Sequence, residues 1–489
     1  MTIRVGESAS APSFQKAALP LLEDAGLRKN VRHATDVITR KRAAVVAESP
    51  DWQELRTAAS ELKAHTMRHL DEYVQQFEKA CTTAGGEVHW ATDADDANRI
   101  VAGLVRRYAD SENLGTEAIK IKTMTSDEIG LNEALDQAGI KVHETDLAEL
   151  IIQLGRDKPS HIVVPALHKN RSQVREIFRE QMHLPDLGDR PEDLAAAARH
   201  YLREQFLRVK VGLCGANFLV AETGSVCIVE SEGNGRMCLT MPDVLISIAG
   251  IEKVVPRFQD LEVFLQLLPR SATGERMNPY NSLWTGVRAG DGPRHFHVVL
   301  LDNGRTSILG DREARQTLHC IRCAACLNTC PVYRQTGGHA YGSSYSGPIG
   351  AIVTPQLLGM QHAQTLPYAS SLCGACYDVC PVKINIPEVL IHLRNRVVRE
   401  QKRALDPEVL AMKTAAVIFT SRRRFEAAQR LGQLGQWPLV SHGWMRNLPG
   451  MLGNWTRVRD LRALPQQSFR QWWKQRAKAD GGKQEKRDG

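Results

Sequence analysis

The chain has 489 residues, of which 24% are charged and 43% are hydrophobic, and this length suffices for about three domains, each with its own core. Its first residues, MTIRVGESASAP, lack the apolar segment of a secretory signal peptide, and no stretch reaches the ~18 apolar residues of a membrane span. The 11 cysteines therefore indicate a reducing compartment. We expect a cytoplasmic protein and exclude a disulfide-stapled secreted one.

The net charge of +8 is distributed unevenly. Residues 391–489 hold 21 Lys and Arg against 8 Asp and Glu, an excess of +13, whereas the first 390 residues carry −5. Basic residues interleaved with aromatics predict a peripheral contact with an acidic protein, anionic lipid or nucleic acid. The alternative is a solvated amphipathic tail whose tryptophans pack on the rest of the protein. Five of the 8 tryptophans lie in this tail: Trp437, Trp444, Trp455, Trp472 and Trp473.

Residues 14–110 are predicted to be mainly helical, because Asp51 to Lys79 has apolar side chains at helical spacing and few Gly or Pro. We interpret this region as scaffold. Further along, Thr125 to Glu128 (T-S-D-E) predicts a capping box and a helix that runs to about Gly139.

The middle of the chain alternates short β-branched runs with helical stretches, which predicts an α/β layered domain. Two apolar runs between Ser225 and Met241 flank Gly233-Asn234-Gly235, which favours a hairpin turn over a phosphate-binding loop. The predicted strands are Ile140–His143, His161–Val164, Val226–Val229 and His297–Leu301.

Five polar residues of this middle region form a candidate anion site, since basic side chains beside a helix N-terminus suit an anion. Lys120 and Lys122 precede the predicted helix, Asn217 and Glu222 flank an apolar run, and Arg236 follows the Asn-Gly turn. Each residue taken singly is also compatible with a surface charge or a structural hydrogen bond.

Other residues that carry reactive groups are interpreted as structural. The histidines lack a metal-ligand spacing, and buried free cysteine behaves as a small hydrophobe. They are His143, His161 and His168, and Cys81, Cys214, Cys227 and Cys238.

Cysteine spacing gives the most specific signal in the chain. Cys320, Cys323, Cys326 and Cys330 form C-x2-C-x2-C-x3-C before Pro331, a spacing typical of iron-sulfur clusters. A second copy has Cys373, Cys376 and Cys380 before Pro381, with Ser370 where the first cysteine would stand. A four-cysteine zinc site is the alternative, but Cys-Pro endings in both copies favour iron and sulfur.

In two-cluster ferredoxins the fourth cysteine of each motif ligates the other cluster. Crossed ligation therefore predicts that Cys320, Cys323, Cys326 and Cys380 hold cluster 1. Cys330, Cys373 and Cys376 would hold cluster 2, which is one thiolate short. Cluster 2 could be a 3Fe-4S cluster, a 4Fe-4S cluster with an oxygen or imidazole ligand (Ser370, Ser371 or His362), or a cubane open to a partner.

Four stretches before the cysteines carry a family resemblance. They read KTMTSDEIGLNEAL (122–135), PSHIVVPALH (159–168), GANFLVAETGSVCIVESEGNGR (215–236) and GIEKVVP (250–256). With the two cysteine motifs, they resemble the lactate-utilisation iron-sulfur protein B family from about residue 60 to 400. The α/β part alone is similar to a wider lactate-utilisation (LUD-type) domain.

The resemblance implies a subunit that acts with two companion proteins, a second iron-sulfur subunit and a LUD-domain subunit, in oxidising L-lactate to pyruvate. The family's cluster positions fall on the seven cysteines named above. The electron acceptor is left open, and so is any catalytic residue of the α/β domain.

Together these observations predict an α/β fold with N-terminal helices, an α-helical dicluster ferredoxin-like domain and a basic helical tail. The predicted boundaries are 1–110, 111–305, 306–395 and 396–489. Three functions follow: an electron carrier of lactate oxidation, a ligase or transferase acting on a small anion with structural or sensory clusters, and a redox-responsive nucleic-acid binder.

Overall fold

The structure is a computed structural model that describes residues 13–400, 406–456 and 459–484. The chain divides into two compact units, Met1–Gln401 and Lys402–Gly489. Among the described residues no helix is both long and apolar enough to cross a membrane.

The first unit opens with four helices, as the apolar spacing predicted. Ser13 and Asp24 cap the first two, because each side chain accepts a hydrogen bond from a backbone N–H of the first turn. The helices are α1 (Phe14–Glu23), α2 (Ala25–Ala47), α3 (Trp52–Arg68) and α4 (Leu70–Thr83).

Ten strands of this unit form two sheets within the described residues. They are β1 (Glu87–Ala91), β2 (Glu117–Lys120), β3 (Lys141–Glu144), β4 (Val211–Cys214), β5 (Phe218–Val220), β6 (Ser225–Glu230), β7 (Val244–Gly250), β8 (Val254–Val255), β9 (Tyr280–Trp284) and β10 (His295–Leu301). The large sheet is parallel, in the order β1-β10-β7-β4-β2-β3, and the small mixed sheet runs β8-β5-β6-β9.

Helices cover the large parallel sheet, and its central strands β4, β7 and β10 are buried and mostly apolar, as this arrangement requires. The helices of this part of the chain are α5 (Ala94–Glu112), α6 (Met124–Ile129), α7 (Leu131–Gln137), α8 (Leu147–Leu154), α9 (Arg171–Gln181), α10 (Pro191–Arg208), α11 (Asn234–Thr240), α12 (Leu261–Ala272), which packs against α2 and α3, and α13 (Arg305–Gly310). Short 3-10 turns occupy Ile251–Lys253 and Phe258–Asp260.

The cysteine region follows as a set of short helices around the two motifs. They are α14 (Ala325–Thr329), α15 (Tyr333–Thr336), α16 (Gly347–Leu358), α17 (Met360–Ala363), α18 (Ala375–Val379) and α19 (Ile386–Glu400), with 3-10 turns at Arg315–His319, His339–Tyr341 and Leu366–Tyr368. This region shares one hydrophobic core with the N-terminal helices, since Val31, Trp52 and Ala59 pack in the same cluster as Cys323 and Cys326.

The cysteine region lies against one edge of the large sheet. In a parallel sheet all carboxyl ends meet at the same edge, which is where α/β folds bind ligands. Tyr345 donates a hydrogen bond to Glu128 (2.6 Å), Ser344 donates to the carbonyl of Asp127 (2.9 Å), and both acceptors follow β2 at this edge.

The second unit is a helical region with one short antiparallel strand pair. Its elements are α20 (Pro407–Phe419), α21 (Arg422–Gly435), β11 (Trp444–Met445), α22 (Gly453–Thr456), β12 (Leu461–Arg462) and α23 (Phe469–Gln484), with 3-10 turns at Trp437–Leu439 and Gly450–Leu452. Trp437 is 85% exposed, and Arg459 and Arg462 lie over the rings of Trp455 and Trp444.

Two local predictions at the start of the α/β domain are wrong. The N-cap of α6 is Thr123, whose hydroxyl accepts from the N–H of Thr125, and Glu128 binds Arg305 instead of closing a capping box. The predicted helix also breaks at Gly130, where a φ of 62° separates α6 from α7.

Two further predictions fail because side chains take the backbone groups that a strand would use. His161 to Val164 is not a strand, since the His161 ring accepts from the N–H groups of Val163 and Val164. The Gly-Asn-Gly stretch does not form a hairpin, because the Glu230 carboxylate accepts from the N–H groups of Gly233 and Arg236 and α11 begins there.

Candidate metal centre

The first cysteine loop leaves the 3-10 turn at Arg315–His319 and closes on the short helix α14. Cys320 follows that turn with an extended backbone conformation. Cys330 follows α14, also with an extended backbone, and stands immediately before Pro331. Proline cannot continue a helix, so the chain turns away there and leaves the thiols facing inward. Cys323, Cys326 and Cys330 are between 6% and 8% exposed.

The second cysteine loop closes on α18 in the same way, and α18 packs against α14. Cys376 and Cys380 are each 7% exposed, whereas Cys373 lies at the surface. The second loop is therefore open to solvent on one side and the first is enclosed.

The thiols influence one another in the pattern expected for crossed ligation. Burial, followed by the Cys320 and Cys380 thiols, raises the pKa of Cys323 to about 12. Burial, followed by Cys330 and Cys373, raises the pKa of Cys376 to about 12.

Each loop thus faces a thiol contributed by the other, although Cys326 lies within electrostatic reach of both loops. Buried thiols that raise one another's pKa give up their protons readily only to a bound metal, so this donor set fits iron-sulfur clusters.

Backbone N–H groups point at two of the sulfurs. The N–H of Arg322 donates to Cys320 Sγ (3.4 Å) and the N–H of Ile384 donates to Cys380 Sγ (3.3 Å). Hydrogen bonds to ligand sulfur stabilise the thiolate and help to set a cluster's reduction potential.

Two arginines of the N-terminal helices hold the second loop, although the sequence indicated only scaffold there. Arg56, which is 7% exposed, donates from Nε to the carbonyl of Cys380 (2.9 Å) and from Nη2 to that of Tyr377 (3.1 Å). Arg42 donates to the carbonyl of Val379 (3.0 Å). Helical spacing gives no sign of such long-range contacts.

A set of buried cations surrounds Cys320, and sequence reasoning missed it. Burial lowers the pKa of Lys63 to about 7 and that of Lys253 to about 8, while Glu252 and Cys320 oppose both shifts. Arg322 lies between Glu252 and Cys320. The GIEK stretch that holds Glu252 and Lys253 was among the family motifs, and this was the available signal.

The hydroxyl of Tyr341 is buried beside Cys330 and has no hydrogen-bond partner among the described residues. Tyr333, which is also buried near Cys330, donates instead to the carbonyl of Ser160 (2.6 Å). A buried hydroxyl without a partner costs free energy, so Tyr341 has a donor to offer to a bound cluster.

The parallel sheet, the paired cysteine loops and the buried thiols define an iron-sulfur protein of mixed α/β fold. Three family models match successive parts of the chain: LUD domain over 74–301, 4Fe-4S dicluster domain over 316–384, and Lactate utilisation protein B, C-terminal, over 392–478.

Curated relatives cover nearly the full chain. "Lactate utilization protein B" of Oceanobacillus iheyensis is 41% identical over 98% of this chain and 99% of its own length. The protein of the same name from Bacillus subtilis is 39% identical over 99% and 100%. The chain belongs to the lactate utilization protein B family, which confirms the resemblance seen in the sequence.

One solved structure, a DUF162 family protein from Deinococcus radiodurans, aligns with 47% of this chain and 98% of its own, at 13% identity and a TM-score of 0.26. A score this low carries no argument about a shared fold.

The structure places the two lysines of the candidate anion site beside carboxylates. Lys120 Nζ lies 2.8 Å from Glu144 Oε1, with both side chains at most 4% exposed, and Lys122 binds Glu149. Burial lowers the pKa of Lys120, but Glu144 and Asp127 outweigh it and the net shift is upward. Both ammonium groups therefore stay charged and are internally neutralised.

The other three members do not join the lysines in one polar cluster. Asn217 accepts from the N–H of Val229 (2.9 Å), Glu222 accepts from the N–H of Phe258 (2.8 Å), and the Arg236 guanidinium lies over the Tyr280 ring. Each has a structural contact of its own.

The cysteines outside the motifs are buried, in agreement with a structural role. Burial raises the pKa of Cys81, Cys214 and Cys227 to about 12, so they are poor nucleophiles.

His168 lies 3.0 Å from Asp157 and its ring contacts that of His339.

Proposed function

We propose that this chain is the iron-sulfur electron-transfer subunit of a cytoplasmic multi-protein system that oxidises L-lactate to pyruvate and so lets lactate serve as a carbon source. Its companions are a second iron-sulfur subunit and a LUD-domain subunit. The supporting observation is the pair of interleaved thiol sets, one enclosed and one open at Cys373.

In this proposal Cys320, Cys323, Cys326 and Cys380 hold cluster 1, and Cys330, Cys373 and Cys376 hold cluster 2, both of the 4Fe-4S type. Adjacent clusters would supply one-electron transfer. The electrostatic contact of Cys380 with Cys320, and of Cys330 with Cys373, supports the crossed assignment.

Three basic residues near Cys320 would tune the reduction potential of cluster 1, and the surrounding hydrophobic core would shield the cluster from water. Lys63, Lys253 and Arg322 place positive charge beside Cys320 in a buried site, where charge acts strongly because water does not screen it. Their charge favours acceptance of an electron. The shared core of N-terminal helices and cysteine loops keeps water away.

Cluster 2 is the natural point of contact with a companion protein. Leu372, Tyr377 and Tyr368, which flank Cys373, are 36%, 40% and 38% exposed. Exposed aromatic and aliphatic side chains beside a redox centre suit a transient docking surface.

The proposal is tested by mixing the anaerobically purified protein with its two companions and L-lactate, and following cluster reduction by EPR and visible absorption. We expect reduction with L-lactate and reoxidation by an added acceptor. Cys373→Ala should abolish the reduction of cluster 2 without unfolding the chain, because Cys373 is exposed, whereas Cys81→Ala, at a buried cysteine outside the motifs, should leave it unchanged. Clusters that stay oxidised with all three proteins present would refute the electron-transfer role.

A second candidate function is the binding of a small molecule by the α/β domain. It rests on a cleft of about 1380 Å³ at the carboxyl edge of β2 and β3. Asp127, Glu144 and Glu149 line it from the α/β side, and His339 and Ser343 from the cysteine region. Glu144 Oε2 is buried there without a partner among the described residues. Lys120 and Lys122 neutralise Glu144 and Glu149, and Lys141, Arg156 and Lys158 also line the cleft. Calorimetric titration with L-lactate and with a polyol decides whether the cleft takes an anion or a neutral hydrogen-bond donor.

A further inference from the structure

The two cysteine loops repeat each other position by position at an offset of fifty residues. The short helix that follows the second position of each motif is Ala325–Thr329 in the first loop and Ala375–Val379 in the second. The offset pairs Cys323 with Cys373, Cys326 with Cys376, Cys330 with Cys380, and Cys320 with Ser370.

The backbone conformation repeats as well. Arg322 and Leu372 have φ values of 61° and 55°, and Ala324 and Gly374 have 63° and 85°. A positive φ is unfavourable for Arg, Leu and Ala. The two loops therefore share an uncommon backbone conformation at both corresponding positions. The second loop therefore has the backbone geometry of a complete four-position motif, with three positions for its own cluster and one for the other, although its sequence supplies three cysteines.

The first position of each loop makes the same hydrogen bond. Cys320 Sγ accepts from the N–H of Arg322 (3.4 Å), and Ser370 Oγ accepts from the N–H of Leu372 (3.1 Å). The serine oxygen thus occupies the place of the ligand sulfur relative to its own loop.

We propose that the Ser370 hydroxyl is the fourth protein ligand of cluster 2. This assignment rests on the two-cluster arrangement proposed above. Binding breaks the O–H bond and forms an Fe–O bond, and the proton leaves to water, which reaches the partly exposed Ser370.

Local contacts hold Ser370 in place. Arg394 donates from Nη2 to the carbonyl of Ser370 (3.2 Å) and from Nε to that of Pro367 (2.8 Å). The guanidinium also brings a positive charge to a site where the bound oxygen is an alkoxide. Ser371 and His362, the other sequence candidates, do not stand at the position of Cys320 in the repeat.

An oxygen ligand gives cluster 2 a distinctive chemistry. Oxygen is a harder donor than thiolate and favours ferric iron, and a hydroxyl ionises less readily than a thiol. One iron of cluster 2 is therefore held more weakly than its three neighbours. Mild oxidation in air should convert cluster 2 to a 3Fe-4S form before cluster 1 changes.

The test compares the full-length wild type with Ser370→Ala, Ser370→Cys and, as a matched control, Ser371→Ala, all reconstituted anaerobically. Iron per chain, EPR spectra and midpoint potentials are measured. We expect about eight irons in the wild type and the control, loss of one iron with a three-iron signal in Ser370→Ala, and in Ser370→Cys a slower loss of iron in air and a higher midpoint potential for cluster 2.

The proposal is overturned if Ser370→Ala keeps the wild-type iron content without a three-iron signal, if Ser371→Ala loses iron equally, or if the wild type gains its eighth iron only with a companion protein. Should Ser370→Ala fail to fold by circular dichroism, the potential of Ser370→Cys decides, and an unchanged value overturns the assignment. A wild type with about four irons instead refutes the two-cluster arrangement itself.

Discussion

The guanidinium of Arg322 lies 3.3 Å from the carboxylate of Glu252, Nη2 to Oε1, where the first cysteine loop meets the end of β7. Glu252 also pairs with Arg305, and both of these side chains are 1% exposed. Arg322 lies over the Tyr345 ring as well, 4.5 Å from its centroid. A continuous set of buried charges thus joins the cysteine region to the sheet, and removal of Glu252 would leave the Arg322 guanidinium without its carboxylate partner.

Crossed ligation predicts that Cys380→Ser damages cluster 1, although Cys380 belongs to the second motif. The reason is that its thiol lies in electrostatic contact with Cys320 and Cys323. EPR should show the same centre lost in Cys380→Ser and in Cys323→Ser. If Cys380→Ser removes the centre held by Cys376 and spares the other, each motif ligates its own cluster.

Removing a buried cation should shift the potential of cluster 1. Lys63→Met deletes an ammonium group 2% exposed and in electrostatic contact with Cys320, so the reduced cluster loses a stabilising charge. We expect a lower midpoint potential for cluster 1 in a redox titration at pH 6, below the Lys63 pKa of about 7, where the ammonium form predominates. Lys79→Met, at an exposed position of α4, is the control and should leave the potential unchanged; equal potentials in both variants would contradict the charge argument.

Arg305 should contribute strongly to stability. Its Nη1 and Nη2 each lie 2.9 Å from a Glu128 oxygen, and Nε pairs with Glu252. Arg305→Met leaves the buried Glu128 carboxylate without its cation and leaves Glu252 with Arg322 as its remaining ion-pair partner, which costs about 3–5 kcal/mol. Arg294→Gln breaks ion pairs in which Arg294 is 57% exposed and should cost about 1 kcal/mol or less. Urea unfolding measures both, and similar losses would contradict the prediction.

Asp146 should make stability fall as pH rises. Burial, followed by the Glu232 carboxylate, raises its pKa to about 7. Between the unfolded pKa near 4 and that value, the folded state binds more protons than the unfolded state, so the free energy of unfolding decreases with increasing pH.

Asp146→Asn, which can still cap α8, should therefore stabilise the protein at pH 8 by on the order of 1 kcal/mol and have little effect at pH 4. Thermal unfolding at both values checks this. Asp186→Asn, at an exposed turn, serves as the control. Equal effects of the two variants on stability at pH 8 would refute the prediction for Asp146.

The basic tail should contribute to partner docking. Ending the chain after Asn447 removes α23 and cations that lie over tryptophan rings, so association with an acidic partner or anionic vesicles should weaken at low salt. The EPR spectra should not change, because the cysteines lie in the other unit.

The triple variant Arg459→Gln, Arg462→Gln and Arg476→Gln keeps the tail but removes three of these cations, and it should weaken association in the same direction. Unfolding of the truncated protein, or unchanged binding, would contradict the docking role.

The sequence by itself determined the family, the α/β fold class and the seven motif cysteines, because these depend on local spacing. A cluster-binding loop needs its thiols only a few residues apart, and buried parallel strands need only short apolar runs. The same locality explains the errors at Thr125 and at Gly233. There, competing hydrogen-bond partners decided the outcome, Arg305 for Glu128 and Glu230 for the glycine turn.

Only the tertiary structure decided which distant groups meet. It brought Lys63 from a scaffold helix and Lys253 from the 3-10 turn after β7 to Cys320, and it gave Lys120 and Lys122 carboxylate partners. It also gave the Ser370 hydroxyl the same hydrogen bond within its loop that the Cys320 sulfur makes in the first. Buried charges are tolerated only beside opposite charges, and packing between distant segments, not spacing along the chain, sets those pairs.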